Sequence, residues 1–117
     1  MSGSRFSNLP KPPYYAVIFS SQRNGTGEAD YEEAATRMFE VVQQQPGFLG
    51  AESTRDAEGF GITVAYFDSE ENIKRWRNHA EHAAVRERGK REWYEHFELR
   101  VAKVERAYGG PARTATG

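Results

Sequence analysis

Phe48-Leu49-Gly50-Ala51-Glu52-Ser53-Thr54-Arg55 is followed, after Asp56-Ala57-Glu58-Gly59, by Phe60-Gly61-Ile62-Thr63-Val64-Ala65-Tyr66-Phe67. Two strand-like runs joined by a short turn that ends in glycine read as an antiparallel hairpin. In the second run Ile62, Val64 and Tyr66 share one face, and Thr63, Ala65 and Phe67 share the other. Apolar residues on both faces require that both faces be covered.

Each side of the hairpin carries a helix pattern and then a further strand pattern. Upstream, Tyr31, Ala34, Ala35, Met38, Val41 and Val42 recur at three- and four-residue spacing. They predict a helix from Glu28 or Asp30 to Gln45, stopped by Pro46-Gly47. Glu28, Asp30, Glu32 and Glu33 suit the positive end of its dipole. Before it, a polar turn is read over Ser20 to Gly27, and Tyr14-Tyr15-Ala16-Val17-Ile18-Phe19 is a strand apolar on both faces. Downstream, Asp68-Ser69-Glu70-Glu71 is a helix start, with a capping side chain and acids in the first turn. Ile73, Trp76, His79, Ala80 and Ala83 line that helix, which is expected to bend near His79 and continue to about Arg88 before Gly89. A helical turn over Lys90 to Tyr94 leads to a last strand, His96 to Arg106. There Phe97, Leu99 and Val101 alternate and Val104 breaks the parity, which predicts a bulge between Val101 and Val104.

The order β-α-β-β-α-β is the α+β, ferredoxin-like split β-α-β arrangement: a four-stranded antiparallel sheet with its helices on one face. A chain of 117 residues has no spare helix for the second face. A second copy of the chain is therefore expected there, giving a homodimer through the sheet faces. The domain spans residues 14–108. It lies between a flexible N-terminal arm over 1–13, rich in Ser, Gly and Pro, and a flexible tail over 109–117.

Composition narrows the chemistry. Sixteen Lys and Arg against seventeen Asp and Glu give a formal net charge of −1, so no general attraction to nucleic acid or an anionic membrane is expected. The absence of cysteine removes disulfides, thiolate nucleophiles and cysteine-based metal sites. No apolar run approaches the roughly 20 residues that span a bilayer, and no apolar stretch follows the start as in a secretory signal. A cytoplasmic location is the default expectation. Asn24-Gly25-Thr26-Gly27 matches neither nucleotide-binding fingerprint and reads as a turn. Lys74, Arg75, Arg77, Arg86, Arg88, Lys90 and Arg91, interleaved with Glu70, Glu71, Glu81, Glu87 and Glu92, read as a salt-bridged solvated helix face.

Three histidines remain: His79, His82 and His96. His79 and His82 are three apart on a helix, but no carboxylate pattern completes a set of metal ligands with them, so no metal site is predicted. A histidine can exchange a proton near neutral pH. Beside Trp76, Phe67 and Trp93, with Phe19 from the first strand, His82 or His79 could deprotonate a phenol or hydroquinone. The other reading of His82 is structural, as a ring bonded to a backbone carbonyl. Two Trp, six Tyr and seven Phe supply flat side chains either for the core or for a slot that takes a planar aromatic molecule.

The chain also resembles the antibiotic biosynthesis monooxygenase family of dimeric α+β barrels. The resemblance rests on Tyr15-Ala16-Val17-Ile18-Phe19, Gln45-Pro46-Gly47-Phe48-Leu49-Gly50 and Ile62-Thr63-Val64-Ala65-Tyr66-Phe67. It continues through Ser69-Glu70-Glu71, Trp76, Glu81-His82, Trp93-Tyr94 and Arg100-Val101-Ala102-Lys103-Val104-Glu105-Arg106. It implies a dimeric barrel, a tryptophan at the pocket near Trp76, and one of several activities. The first is cofactor-independent oxygenation of an electron-rich aromatic molecule by O2. The second is non-catalytic binding by an accessory dimer. Haem degradation fits less well. Relatives that perform it hold the iron through a histidine ten residues after the matching tryptophan, where this chain has Arg86. They also carry an asparagine on the first strand, where this chain runs Val17-Ile18-Phe19-Ser20-Ser21.

Overall fold

The computed structural model of the protein describes residues 5–111, so the outermost parts of the arm and of the tail lie outside the described residues. In chain order the elements are β1 (Tyr14–Arg23), α1 (Glu28–Val42), β2 (Phe48–Arg55), β3 (Phe60–Phe67), α2 (Glu70–Asn78) and α3 (Ala80–Arg88). A π-helical turn (Gly89–Trp93) and β4 (Tyr94–Val104) complete it. The strands form one antiparallel sheet in the order β2-β3-β1-β4. This is the α+β, ferredoxin-like arrangement that the pattern of the chain predicts.

Residues paired across the sheet point the same way, so the register sorts the side chains onto two faces. Tyr15, Val17, Phe19, Ser21 and Arg23 share a face with Phe67, Ala65 and Thr63 of β3 and Phe97, Leu99 and Val101 of β4. Tyr31 lays α1 on this face. Its hydroxyl accepts hydrogen bonds from Arg55 (3.1 Å) and from the Tyr94 hydroxyl (3.3 Å), and its ring meets Trp93 and Tyr94 edge to face. The buried stripe of α1 ends in Val41 and Val42. α3 is tied to α1 at the surface, where Arg37 forms two hydrogen bonds with Glu81.

The opposite face carries Tyr14, Ala16 and Ile18 with Tyr66, Val64 and Ile62. The Tyr14 and Tyr66 rings meet edge to face, and the Tyr66 hydroxyl donates to Glu52 at 2.7 Å. Burial and this carboxylate push the Tyr66 phenol up to about 12. The arm covers part of this face: Ser7 donates its backbone N–H to Glu52 and its hydroxyl to the Ala51 carbonyl. A side chain at Gly50 would come within 2.8 Å of the Ser7 oxygen, so the arm's approach depends on glycine there. Farther along, Phe60 and Ile62 remain 47% and 38% exposed.

Four boundaries differ from the sequence reading. β1 continues through Arg23, because Ser20 to Arg23 keep pairing with both neighbours and bury Ser21 and Arg23 despite their polarity. α1 ends at Val42, three residues before Gln45. β4 starts at Tyr94 and ends at Val104. No bulge lies between Val101 and Val104: the β1–β4 register runs unbroken from Tyr14↔Val104 to Gln22↔His96 and shifts only between Gln22 and Arg23. Val104 breaks the parity because it lies on the other face, opposite Tyr14.

That shift marks an anchor. Arg23 is 5% exposed. It donates to the Trp93 carbonyl (3.0 Å) and the Thr26 carbonyl (3.1 Å), pairs with Glu28, and lies 4.0 Å above the Tyr31 ring. Gly27, at φ +64, opens α1 in a left-handed conformation that favours glycine, and a Cβ there would sit 3.3 Å from the Trp93 ring. α2 opens as the sequence predicts: the Ser69 hydroxyl accepts from the Asn72 N–H, with Glu70 and Glu71 in the first turn. No helix among the described residues is long and apolar enough to cross a membrane.

Replacing Arg23 by leucine strips the part-buried Thr26 carbonyl of its donor and leaves the buried Trp93 carbonyl with the Asn24 N–H (2.9 Å) alone. Arg23→Leu is expected to lower stability by about 2–4 kcal/mol in urea unfolding. Glu28→Gln, altering the exposed partner, should cost about 1 kcal/mol or less. Equal losses in the two variants would show that the ion pair, and not the carbonyl bonds, carries the anchor.

Candidate functional site

α2 and α3 are broken at one residue. In a continuous helix the Trp76 carbonyl would accept from Ala80, but His79 turns to ψ 127 and ends α2. The orphaned carbonyls are then satisfied from the chain that follows. Trp76 O accepts from the His79 backbone N–H at 3.1 Å and from His82 Nδ1 at 2.9 Å. Arg77 O accepts from Arg86 Nη2 at 3.0 Å. Side chains of α3 thus cap the end of α2. The same geometry lays the His82 imidazole on the Trp76 indole, with centroids 4.1 Å apart and planes within 9°. His79 leans on the indole at 5.5 Å and 45°.

This arrangement sets the chemistry of His82. A carbonyl only accepts, so the hydrogen bond assigns the proton to Nδ1 and leaves the Nε2 lone pair to take another. Burial pushes the His82 pKa below its ordinary value of 6.5, the bond to Trp76 opposes that shift, and the charges of Arg86 and His79 add to it. The ring is held neutral at pH 7, as a general base requires.

The other predicted residues fall elsewhere on the same side of the sheet. Phe67 is fully buried and meets Phe48 edge to face at 5.6 Å. Trp93 is buried beneath the Arg88 guanidinium, 4.7 Å above its ring, and beside Tyr31. Phe19 packs on Tyr94 and Phe97. The structure therefore joins Trp76, His79 and His82 in one cluster. Phe19 and Trp93 belong to a second cluster, centred on Tyr31 and Tyr94. The Tyr94 phenol is pushed up, first by burial and then by its bond to Tyr31. His96 is exposed and bonded to Glu98. Among the described residues no three His, Asp or Glu side chains gather in a way that could hold a metal ion.

Several residues escape the sequence reading. Arg23 and Arg55 lie under Tyr31, although Arg23 falls in the segment read as a polar turn. Its alternation with Phe19 and Ser21 is the signal that points inward. Arg86, grouped with the solvated basic residues, is half-buried and turned onto the end of α2. Its four-residue spacing from His82 is the only clue. Arg88–Glu92 and Lys90–Glu87 form the surface pairs expected of that face. An arginine at position 86 supplies no imidazole for a haem iron.

The fold is that of a small ferredoxin-like protein, with a stacked histidine–tryptophan pair at the α2–α3 break. Residues 13–88 match the family model described as antibiotic biosynthesis monooxygenase, and the chain belongs to that family. It is 55% identical over 102 residues to the uncharacterized protein YqjZ of Bacillus subtilis (strain 168), a match covering 86% of this chain and 87% of that one. The fold is similar to that of SnoaB, a cofactor-independent oxygenase from Streptomyces nogalater. The TM-score there is 0.69 at 13% identity, covering 82% of this chain and 97% of SnoaB. Protein SO0527 from Shewanella oneidensis gives a TM-score of 0.71 at 10% identity, covering 87% of this chain and all of that one.

The depressed pKa of His82 fixes the sign of a pH effect. The unfolded chain titrates this ring at its ordinary value and the native state titrates it lower, so the unfolded state binds more protons between the two. The contribution of His82 to stability is complete above pH 6.5 and is lost as pH falls from there through the native value. NMR titration of the His82 ring should give a midpoint below 6.5. A midpoint at or above 6.5 would mean that the carbonyl bond outweighs burial.

Proposed function

We propose that this protein is a cofactor-independent monooxygenase that oxidises a phenol- or hydroquinone-type aromatic molecule with O2, acting in the cytoplasm as a homodimer. The observation that supports the reading most directly is His82. Its Nδ1–H is bound to the Trp76 carbonyl, its Nε2 is left to accept a proton, and its ring is stacked on an indole. Family membership and the fold shared with SnoaB agree with it.

In this reading Trp76 is the platform for the substrate ring. Phe19 and Trp93, in the Tyr31–Tyr94 cluster, and Phe67, against Phe48, pack the layer between sheet and helices apart from that platform. His82 takes the phenol proton, and His79 is the alternative acceptor. The phenolate passes one electron to O2, and the radical pair recombines to a carbon–oxygen bond. Loss of water leaves a quinone carbonyl. One atom of O2 stays in the product and the other leaves as water, with every electron drawn from the substrate. Two copies pack through the sheet face that carries Phe60, Ile62 and Val64, beside the patch covered by the arm. Burying that apolar area at about 25 cal/mol per Å² favours association.

Oxygen uptake with a panel of quinols tests the activity. His82→Ala and His82→Asn should each lower turnover by about 10²–10⁴-fold. Asparagine can still donate to the Trp76 carbonyl, so the second variant keeps the cap and removes only the base. Full turnover in His82→Asn, with loss in His79→Ala, would move the base to His79. No uptake by the unmodified protein with any quinol would favour the non-catalytic binder. Sedimentation at micromolar concentration should give a dimer, and a fully folded monomer would overturn the sheet-face interface.

A further inference from the structure

Buried polar atoms in folded proteins are almost always paired, and the exceptions ask for a partner. Among the described residues three buried side-chain nitrogens have none: Arg23 Nε, His79 Nδ1 and Arg86 Nε. Arg23 spends its other nitrogens on the anchor at the end of β1. The other two flank His82, one at the α2–α3 break and one a turn farther along α3, and both act on its charge.

The charge balance there is one-sided. Arg86 has no carboxylate within ion-pair distance among the described residues, and its hydrogen bond runs to the neutral Arg77 carbonyl. The nearby acid on α3, Glu81, is held by two bonds from Arg37 at 2.6 and 3.1 Å. A half-buried cation with no ion-pair partner, an unsatisfied imidazole nitrogen and a stacked indole–imidazole pair therefore share one corner of the molecule, and the carboxylate nearest to it, Glu81, is bonded to Arg37.

We propose that this corner takes a planar aromatic ligand carrying an anionic oxygen, a carboxylate or an ionised phenol, with Arg86 and His79 holding the charge and the Trp76–His82 pair holding the ring. The inference rests on the reading of the Trp76 site as an aromatic site and adds the charge of what it binds. An oxyanion accepts from guanidinium and imidazole N–H groups, and charge-assisted bonds of this kind are the strong ones. A neutral amide of the same shape can still accept through its carbonyl oxygen, but it brings no charge and puts an NH2 donor where the carboxylate has its second acceptor oxygen.

The probes are 2-naphthoate and 2-naphthamide, equal in ring and different in charge, titrated into the ¹⁵N-labelled full chain. The Trp76 indole N–H is the reporter, and Trp93, buried against Tyr31, is the internal control. Naphthoate should move the Trp76 signal with an affinity roughly tenfold or more above that of naphthamide. Arg86→Gln should erase the difference by weakening naphthoate binding roughly tenfold, and Arg86→Lys, which keeps the charge, should retain a preference for naphthoate. Equal affinities in the unmodified protein would overturn the anion site while leaving the aromatic site standing. A naphthoate preference that survives in Arg86→Gln would overturn the role of Arg86. Silence of Trp76 with both probes would overturn the aromatic site and this inference together.

Discussion

A guanidinium buried at the end of β1 is the constraint on which the architecture turns. Removing a charge from water is costly, and Arg23 offsets that cost with two carbonyls, a carboxylate and the face of Tyr31. Those partners come from the turn before β4, the β1–α1 loop and the first helix. One side chain therefore fixes where α1 starts, where β4 starts and where Trp93 sits against Gly27. The register shift between β1 and β4 falls at this residue because the Trp93 carbonyl must reach the guanidinium while the ladder beyond it keeps its pairing. Arg55 extends the arrangement to β2, bonding the Ser21 hydroxyl and the Tyr31 hydroxyl.

The sequence was most legible where burial follows periodicity. The hairpin over Phe48–Phe67, the Ser69 cap and the stripe ending in Val41 and Val42 repeat at spacings that only one element type satisfies. It was least legible where polar residues are buried. Ser21 and Arg23 look like turn residues in isolation, because nothing local announces that carbonyls from the far end of the chain will satisfy them. The same blindness displaced the bulge. Along the strand Val104 breaks the alternation of its neighbours, whereas its place is set by Tyr14 across the sheet.

The candidate site shows the same division. Spacing put His79 and His82 on one helix face and allowed both a structural and a chemical reading of His82. In the structure the ring is bonded to the Trp76 carbonyl, and the same bond places the proton on Nδ1. That outcome depends on the break at His79. With a continuous helix, Trp76 O would be taken by Ala80 and His82 would be one polar residue among many on a solvated face. A π-helical turn over Gly89–Trp93 and a kink at His79 bracket α3, so its placement owes little to a long helical repeat and much to the contacts at its ends.

Electrostatics explains why an arginine, and not an acid, suits position 86. A carboxylate one turn from His82 would favour the imidazolium and add to the pull that the carbonyl bond and the negative end of α2 already exert on the ring. A charged imidazole has no lone pair to offer. Arg86 pushes the other way while its Nη2 caps α2, so the residue that completes the helix end also helps to keep the His82 ring neutral. Glu81, the acid adjacent in sequence, is neutralised by Arg37 across the α1–α3 contact, and its pKa is held low chiefly by that hydrogen bond. The ion pair between the helices therefore does more than join two surfaces. It holds the Glu81 carboxylate on Arg37, and the charge of His79 adds to the same low pKa.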